Sequence, residues 1–256
     1  MGGLLRRSRT ASERRSPPGS KPLPRPDVDT LLARVYSHCP RGLESDDPRH
    51  SETEESRRLM CVQEAAARSC GWPPNEVPAM ERVPTEPAVE SVVMALRAWR
   101  SFAERWNEEM PDIHLIDESN PWHDASYRYS ALRPGYVLAL DRPPEQQGKP
   151  DIELPGGWAD PVVLSLSILA PVYVIYTYIV PPERPEDADM EFRYRDFPRR
   201  YRDRVAALHR LSEEIFGFHR LDEATLLTPV PDVAPPGGLR MVDEANLRDC
   251  LFTVCP

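Results

Sequence analysis

The clearest hydrophobic pattern in the chain is the uncharged stretch from residue 162 to residue 180, VVLSLSILAPVYVIYTYIV. Its length alone would suit a transmembrane helix. Pro171 at the centre would break such a helix, and the many β-branched and aromatic residues favour a pleated sheet. A period of two places Leu164 and Leu166 on one face. The stretch therefore predicts two strands joined by a turn at Pro171, in preference to one long bent strand or a membrane span.

Apolar residues spaced by three and four predict four main helices. The first covers Asp27 to Cys39. The second is predicted to begin at a capping box formed by Ser51 and Glu54, and to end at Cys70 before Gly71. The other two run from Pro87 to Met110 and from Pro198 to Gly217, and the first of these carries two tryptophans on its apolar stripe. We interpret those tryptophans as core residues rather than as a ligand-binding aromatic box.

Shorter patterns add strands around the central pair and one more helix. Strands are predicted at Ile113 to Ile116, Ser126 to Leu132, Gly135 to Asp141 and Thr225 to Val230, and a short helix at Glu244 to Leu251. Strands in the middle of the chain with helices on both sides predict an α+β fold with a central antiparallel sheet packed by long amphipathic helices. We expect a single domain over residues 27–256, mainly helical over 27–110 and built of sheet plus helix over 111–256.

Charge divides the chain into two unequal parts. The net charge is −9, but residues 1–26 carry seven basic residues and one acidic residue, a local +6, which leaves −15 on the remainder. This Ser- and Pro-rich basic segment is predicted to be a disordered tail; a basic arm for nucleic acid is the alternative. A body of that charge is a poor binder of nucleic acid or anionic membrane, and it attracts basic partners.

Cysteine spacing and the N-terminus bear on the compartment. Cys39, Cys61, Cys70, Cys250 and Cys255 form no CxxC pair, so reduced and mostly buried thiols are expected rather than a zinc ribbon or a disulfide scaffold. The arginines near the start are followed by no apolar secretory segment, which predicts a cytoplasmic protein. The glycines have neither P-loop nor dinucleotide spacing, and we expect no cofactor.

The segment HLIDESNPWHD holds the strongest candidate for catalysis. His114, Asp117, His123 and Asp124 could bind a divalent metal and support a hydrolase. Their spacing matches no metalloprotease motif such as HExxH, and the same residue types suit a turn after an edge strand. The metal-dependent hydrolase therefore stays an alternative.

A run of arginines among aromatic residues, from Arg193 to Arg204, is the second alternative. Arginine and aromatic side chains together can hold single-stranded nucleic acid. Here Glu191, Asp196 and Asp203 interrupt the charge, and several aromatic residues fall on the predicted buried stripe. The run fits better as a basic helix solvated by the acidic loops of the same chain.

The leading hypothesis is a non-catalytic protein that binds a basic protein partner through its acidic surface. An immunity or antitoxin protein that neutralises a basic toxin is one concrete form. Complementary charge accelerates encounter and favours specificity. The predicted contacts are loop carboxylates: Asp117, Glu118, Glu183, Glu186, Asp187 and Asp189.

Overall fold

The computed structural model describes residues 22–44, 46–71, 84–119, 125–132, 161–179, 191–235 and 242–252. The helices are α1 (Val28–His38), α2 (Glu54–Cys70), α3 (Pro87–Leu96), α4 (Trp99–Glu109), α5 (Arg202–Leu211), α6 (Glu223–Leu226) and α7 (Leu247–Phe252). The strands are β1 (His114–Asp117), β2 (Ser126–Leu132), β3 (Val162–Ser167), β4 (Val172–Ile179), β5 (Glu191–Arg193) and β6 (His219–Arg220). A 3₁₀ turn at Arg199–Tyr201 precedes α5, and a π turn at Ser212–Phe216 follows it.

The sheet is centred on the predicted hairpin, which is confirmed. Strands β1 to β5 are neighbours in chain order and pair antiparallel, while the short β6 pairs parallel with β4. All six residues of β3 are buried because both faces of the sheet are covered. On one face the hydroxyl of Tyr173 contacts α5, and on the other Ser126 donates a 2.6 Å hydrogen bond to the carbonyl of Phe252 in α7. The α+β fold class is therefore confirmed.

The helix α2 begins later than the predicted capping box. A 3₁₀ turn at His50–Glu52 precedes it, and the N-cap is Thr53, whose hydroxyl accepts a 3.2 Å hydrogen bond from the backbone N–H of Ser56. The hydroxyl of Ser51 instead donates to the carbonyl of Pro48. The prediction of Ser51 as the cap is wrong because the preceding turn already uses its backbone. Gly71 ends α2 in the left-handed region, as predicted.

The predicted helix from Pro87 to Met110 is divided in two. Arg97 and Ala98 form a tight turn with hydrogen bonds to the residues three positions earlier. The helix before the turn packs on α2, and the helix after it packs on β1 and α5. The apolar stripe is buried on both sides of the turn, so the pattern predicted burial correctly but not the change of direction.

The predicted tail extends too far toward the body. Leu23 is partly buried against the core, its N–H donates to the carbonyl of Gly217, and its own carbonyl lies 2.6 Å from Nε2 of His219. Leu23 therefore packs on the body, so the prediction of an unpacked tail up to residue 26 is wrong at this residue. The boundary was missed because a single leucine between prolines gives no periodic signal.

The C-terminal strand prediction is wrong. Residues 223–226 form the helix α6, capped by the side chain of Asp222, and Pro229 then makes an isolated bridge to Asn246. The short helix predicted at Glu244 to Leu251 is confirmed as α7. The predicted strand Gly135 to Asp141 lies outside the described residues.

The described cysteines are free thiols, and Cys39, Cys70 and Cys250 are buried. Burial raises the pKa of Cys39 to about 12 and that of Cys70 to about 11, because a thiolate is poorly solvated in an apolar core. Within the described ranges, every helix is too short or too polar to span a membrane.

Candidate functional site

The proposed metal ligands of β1 do not converge in the described part of the site. His114 and Asp117 are three residues apart on one strand, so their side chains point to opposite faces of the sheet. His123 and Asp124 lie outside the described residues. Among the described residues no group of three His, Cys, Asp or Glu side chains could hold a metal ion. The metal-dependent hydrolase therefore stays a prediction, because two of its four proposed ligands lie outside the described residues.

Asp117 and Glu118, predicted as partner contacts, also hold the edge of the sheet. The indole Nε1 of Trp99 donates to Oδ2 of Asp117 at 2.9 Å, and the backbone N–H of Ser119 donates to Oδ1 at 3.0 Å. The hydroxyl of Ser130 donates to Oε2 of Glu118. Asp117 stays exposed, so it can still meet a partner, whereas Glu118 is half-buried. The predicted contacts Glu183, Glu186, Asp187 and Asp189 lie outside the described residues.

The tryptophans of α4 belong to the core. Trp99 stacks on Tyr129 with ring centroids 3.8 Å apart and 10° between the planes, and Tyr127 meets the same indole edge-on at 4.9 Å. Burial raises the pKa of both tyrosines. Trp106 is fully buried and donates through Nε1 to the carbonyl of Ile113 at 3.0 Å. All four aromatic side chains are buried, so among the described residues none of them offers an open face for a ligand.

The arginine run divides into structural and exposed members. Arg204 is 3% exposed, lies over the ring of Tyr201 at 4.8 Å, and donates through Nη1 to the carbonyl of Ala131 at 3.1 Å. Arg200 covers the same ring at 4.7 Å. Arg195 pairs with Glu223 at 2.8 Å, which is the expected solvation of this run by the acidic residues of the same chain.

The aromatic members of this run are not available for stacking on bases. Tyr194 and Tyr201 are buried, and Phe192 and Phe197 are partly buried against the core. Exposed charge remains at Arg193, Arg199 and Arg202. Charge without aromatic faces can contact phosphates but cannot form the stacking platform that single-stranded nucleic acid requires.

One constellation was missed by the sequence analysis. The buried hydroxyl of Tyr173 is hydrogen-bonded to Nδ1 of His209, and Oε1 of Glu213 lies 3.7 Å from the same nitrogen. Burial raises the pKa of Tyr173, and the negative charge of Glu213 raises it further. The spacing of four between His209 and Glu213 is visible in the sequence, but Tyr173 reaches them only through the packing of α5 on β4. The evident role of His209 is to provide a hydrogen-bond partner for the buried hydroxyl of Tyr173.

An acidic surface was also missed, on the solvent side of α4. Glu104 and Glu108 lie opposite the buried stripe, and Asp112 follows in the next turn. All three are exposed, and none makes an ion pair with the described residues. Like charges four residues apart repel, and carboxylates near a helix C-terminus oppose the helix dipole. Packing therefore gives no reason for these charges, which we name the α4 acidic face.

Comparison with protein-family models, with curated proteins and with solved structures finds no match to this chain.

Proposed function

We propose that this protein is a non-catalytic binding protein that engages a basic protein partner through the α4 acidic face. Neutralisation of a basic toxin by an immunity or antitoxin protein is the concrete form that we favour, with the cytoplasm as the compartment. The observation that carries the proposal is the position of Glu104, Glu108 and Asp112: exposed, unpaired among the described residues, and unfavourable to their own helix.

The charge of the surrounding segment supports this proposal. Between residues 84 and 119 the chain has eight carboxylates and three arginines. Arg105 and Arg210 pair with Glu109 on the side of α4 that packs toward α5, so among the described residues they leave Glu104 and Glu108 without an ion pair. A concentrated negative surface speeds encounter with a positive one and sets the orientation of docking. Asp117, which is exposed on the edge strand β1, stays a predicted contact of the same partner.

The test compares two double variants with the same net charge. Glu104→Gln with Glu108→Gln removes two charges from the α4 acidic face. Glu52→Gln with Glu244→Gln removes two charges from exposed carboxylates elsewhere on the body. Partners captured by the immobilised full chain from native lysate are identified by mass spectrometry, purified, and measured by stopped-flow association with each variant.

We expect the α4 variant to slow association with the captured partner, with a smaller change in dissociation, and the control variant to have little effect. The rate should also fall with added salt, because the Debye length shrinks from about 30 Å at 0.01 M to about 8 Å at physiological ionic strength. The free α4 variant should be at least as stable as the wild type, because it removes repulsion. The proposal would be refuted if the association rate changed neither with salt nor on substitution of Glu104 and Glu108.

A further inference from the structure

We propose that the groove between α2 and α3 binds a small aliphatic monocarboxylate, at a site separate from the α4 acidic face. This inference does not depend on the proposed function. It concerns a different surface and a different class of ligand.

The groove follows the line where the two helices pack together. Arg68 and Ser69 line it from α2, Glu90 and Met94 line it from α3, and Arg97 lines it from the turn after α3. Thr85, just before α3, also lines the groove. The volume of the groove is about 540 Å³, which falls within the range of small-molecule sites.

Arg97 supplies the positive charge that a carboxylate needs. It is exposed and makes no ion pair with the described residues, whereas Arg68 is held by Glu64 one turn earlier on the same helix. A guanidinium presents several N–H donors in a planar fork that matches a carboxylate, and the hydroxyls of Ser69 and Thr85 can add further hydrogen bonds. In a chain of net charge −9, an arginine that lies in a groove without an ion pair to the described residues is a specific feature.

Met94 supplies the apolar part of the site. Its exposed fraction is 51%, and only Leu227 is a comparably exposed large hydrophobic side chain among the described residues. Ala65 and Val93 also line the groove with apolar side chains. The flexible, polarisable methionine adapts to aliphatic ligands, so an alkyl chain on Met94 would remove apolar surface from water.

Glu90 limits the charge of the ligand. It lies seven residues, or about two helical turns, before Arg97, so a ligand that extends along the groove from Arg97 approaches Glu90. A second negative charge would approach Glu90 at an energetic cost. The groove therefore suits a monocarboxylate with an apolar chain better than inorganic phosphate.

The experiment is calorimetric titration of the full chain with hexanoate, octanoate and decanoate below their micelle concentrations, and with inorganic phosphate. We expect affinity to rise with chain length and phosphate to bind weakly. Arg97→Ala should weaken decanoate binding about tenfold, through loss of a charge-assisted hydrogen bond. Glu90→Gln should strengthen it about threefold. Met94→Ser should reduce the dependence on chain length.

Arg202→Ala is the matched control, because Arg202 is exposed on α5 and does not line the groove. It should bind decanoate as the wild type does. The changed residues are exposed, so folding is expected to survive, and circular dichroism checks this for each variant. Absence of saturable decanoate binding, equal binding of phosphate, or binding unaffected by Arg97→Ala and Glu90→Gln would overturn the proposal. None of these results bears on partner association at the α4 acidic face.

Discussion

At the scale of single residues, the protonation of a polar side chain in this protein depends on its burial more than on its sequence neighbours. His38 is 2% exposed, and its Nδ1 lies 2.9 Å from both the carbonyl of Arg34 and the hydroxyl of Ser37. Burial lowers the pKa of His38 below its ordinary 6.5, because the imidazolium loses its solvation. In the sequence His38 is only a polar residue at the end of an amphipathic helix.

This burial predicts a pH dependence of stability. A histidine whose pKa is lowered on folding binds fewer protons in the native state than in the unfolded state. Its contribution is therefore complete above the unfolded pKa of 6.5 and is lost as the pH falls toward the lowered native value. We expect the urea midpoint to decrease between about pH 7.5 and about pH 5. His38→Gln should make this decrease shallower, and the exposed control His114→Gln should leave it unchanged; equal slopes for all three proteins would contradict the prediction.

At the scale of elements, the N-cap of α2 can be tested directly: the structure assigns it to Thr53, whereas the sequence predicts Ser51. Thr53→Ala removes the hydroxyl that accepts the N–H of Ser56, and should lower the free energy of unfolding by about 0.5–2 kcal/mol. Ser51→Ala should have almost no effect, since that hydroxyl caps no helical N–H. Chemical denaturation of both variants measures the difference. A larger loss for Ser51→Ala would restore the capping box predicted from the sequence.

Elements with strong local signals were predictable, and those shaped by distant contacts were not. The hairpin of β3 and β4 follows from Pro171 and the period of two, because both features act within the segment. The chain turns at Arg97–Ala98 because α3 packs on α2 while Trp99, at the start of α4, stacks on Tyr129. Both are contacts between residues far apart in the sequence, so the local pattern does not predict the turn. Glu104 and Glu108 were visible as an outward pair, but only the structure places them free of ion pairs among the described residues.

At the scale of the whole molecule, the N-terminal segment affects the net charge through residues 1–21 and the stability of the fold through Leu23. Residues 1–21 carry six basic residues and one acidic residue, opposite in sign to the body. Leu23 instead contributes to folding, since its N–H donates to the carbonyl of Gly217 and its own carbonyl accepts from His219. Two truncations at neighbouring positions therefore have different expected effects.

Removal of residues 1–21 should leave the free energy of unfolding unchanged, because the contacts of Leu23 remain. Association with a basic partner should be as fast or slightly faster, since the field of the acidic body is no longer opposed. Removal of residues 1–26 should have the same effect on association, but it should lower the free energy of unfolding by about 1–3 kcal/mol through loss of two hydrogen bonds. Denaturation and stopped-flow association of both truncated chains measure these quantities. Slower association without residues 1–21 would point instead to a partner held by the basic segment, and equal stability of the two truncated chains would show that Leu23 contributes nothing to the fold.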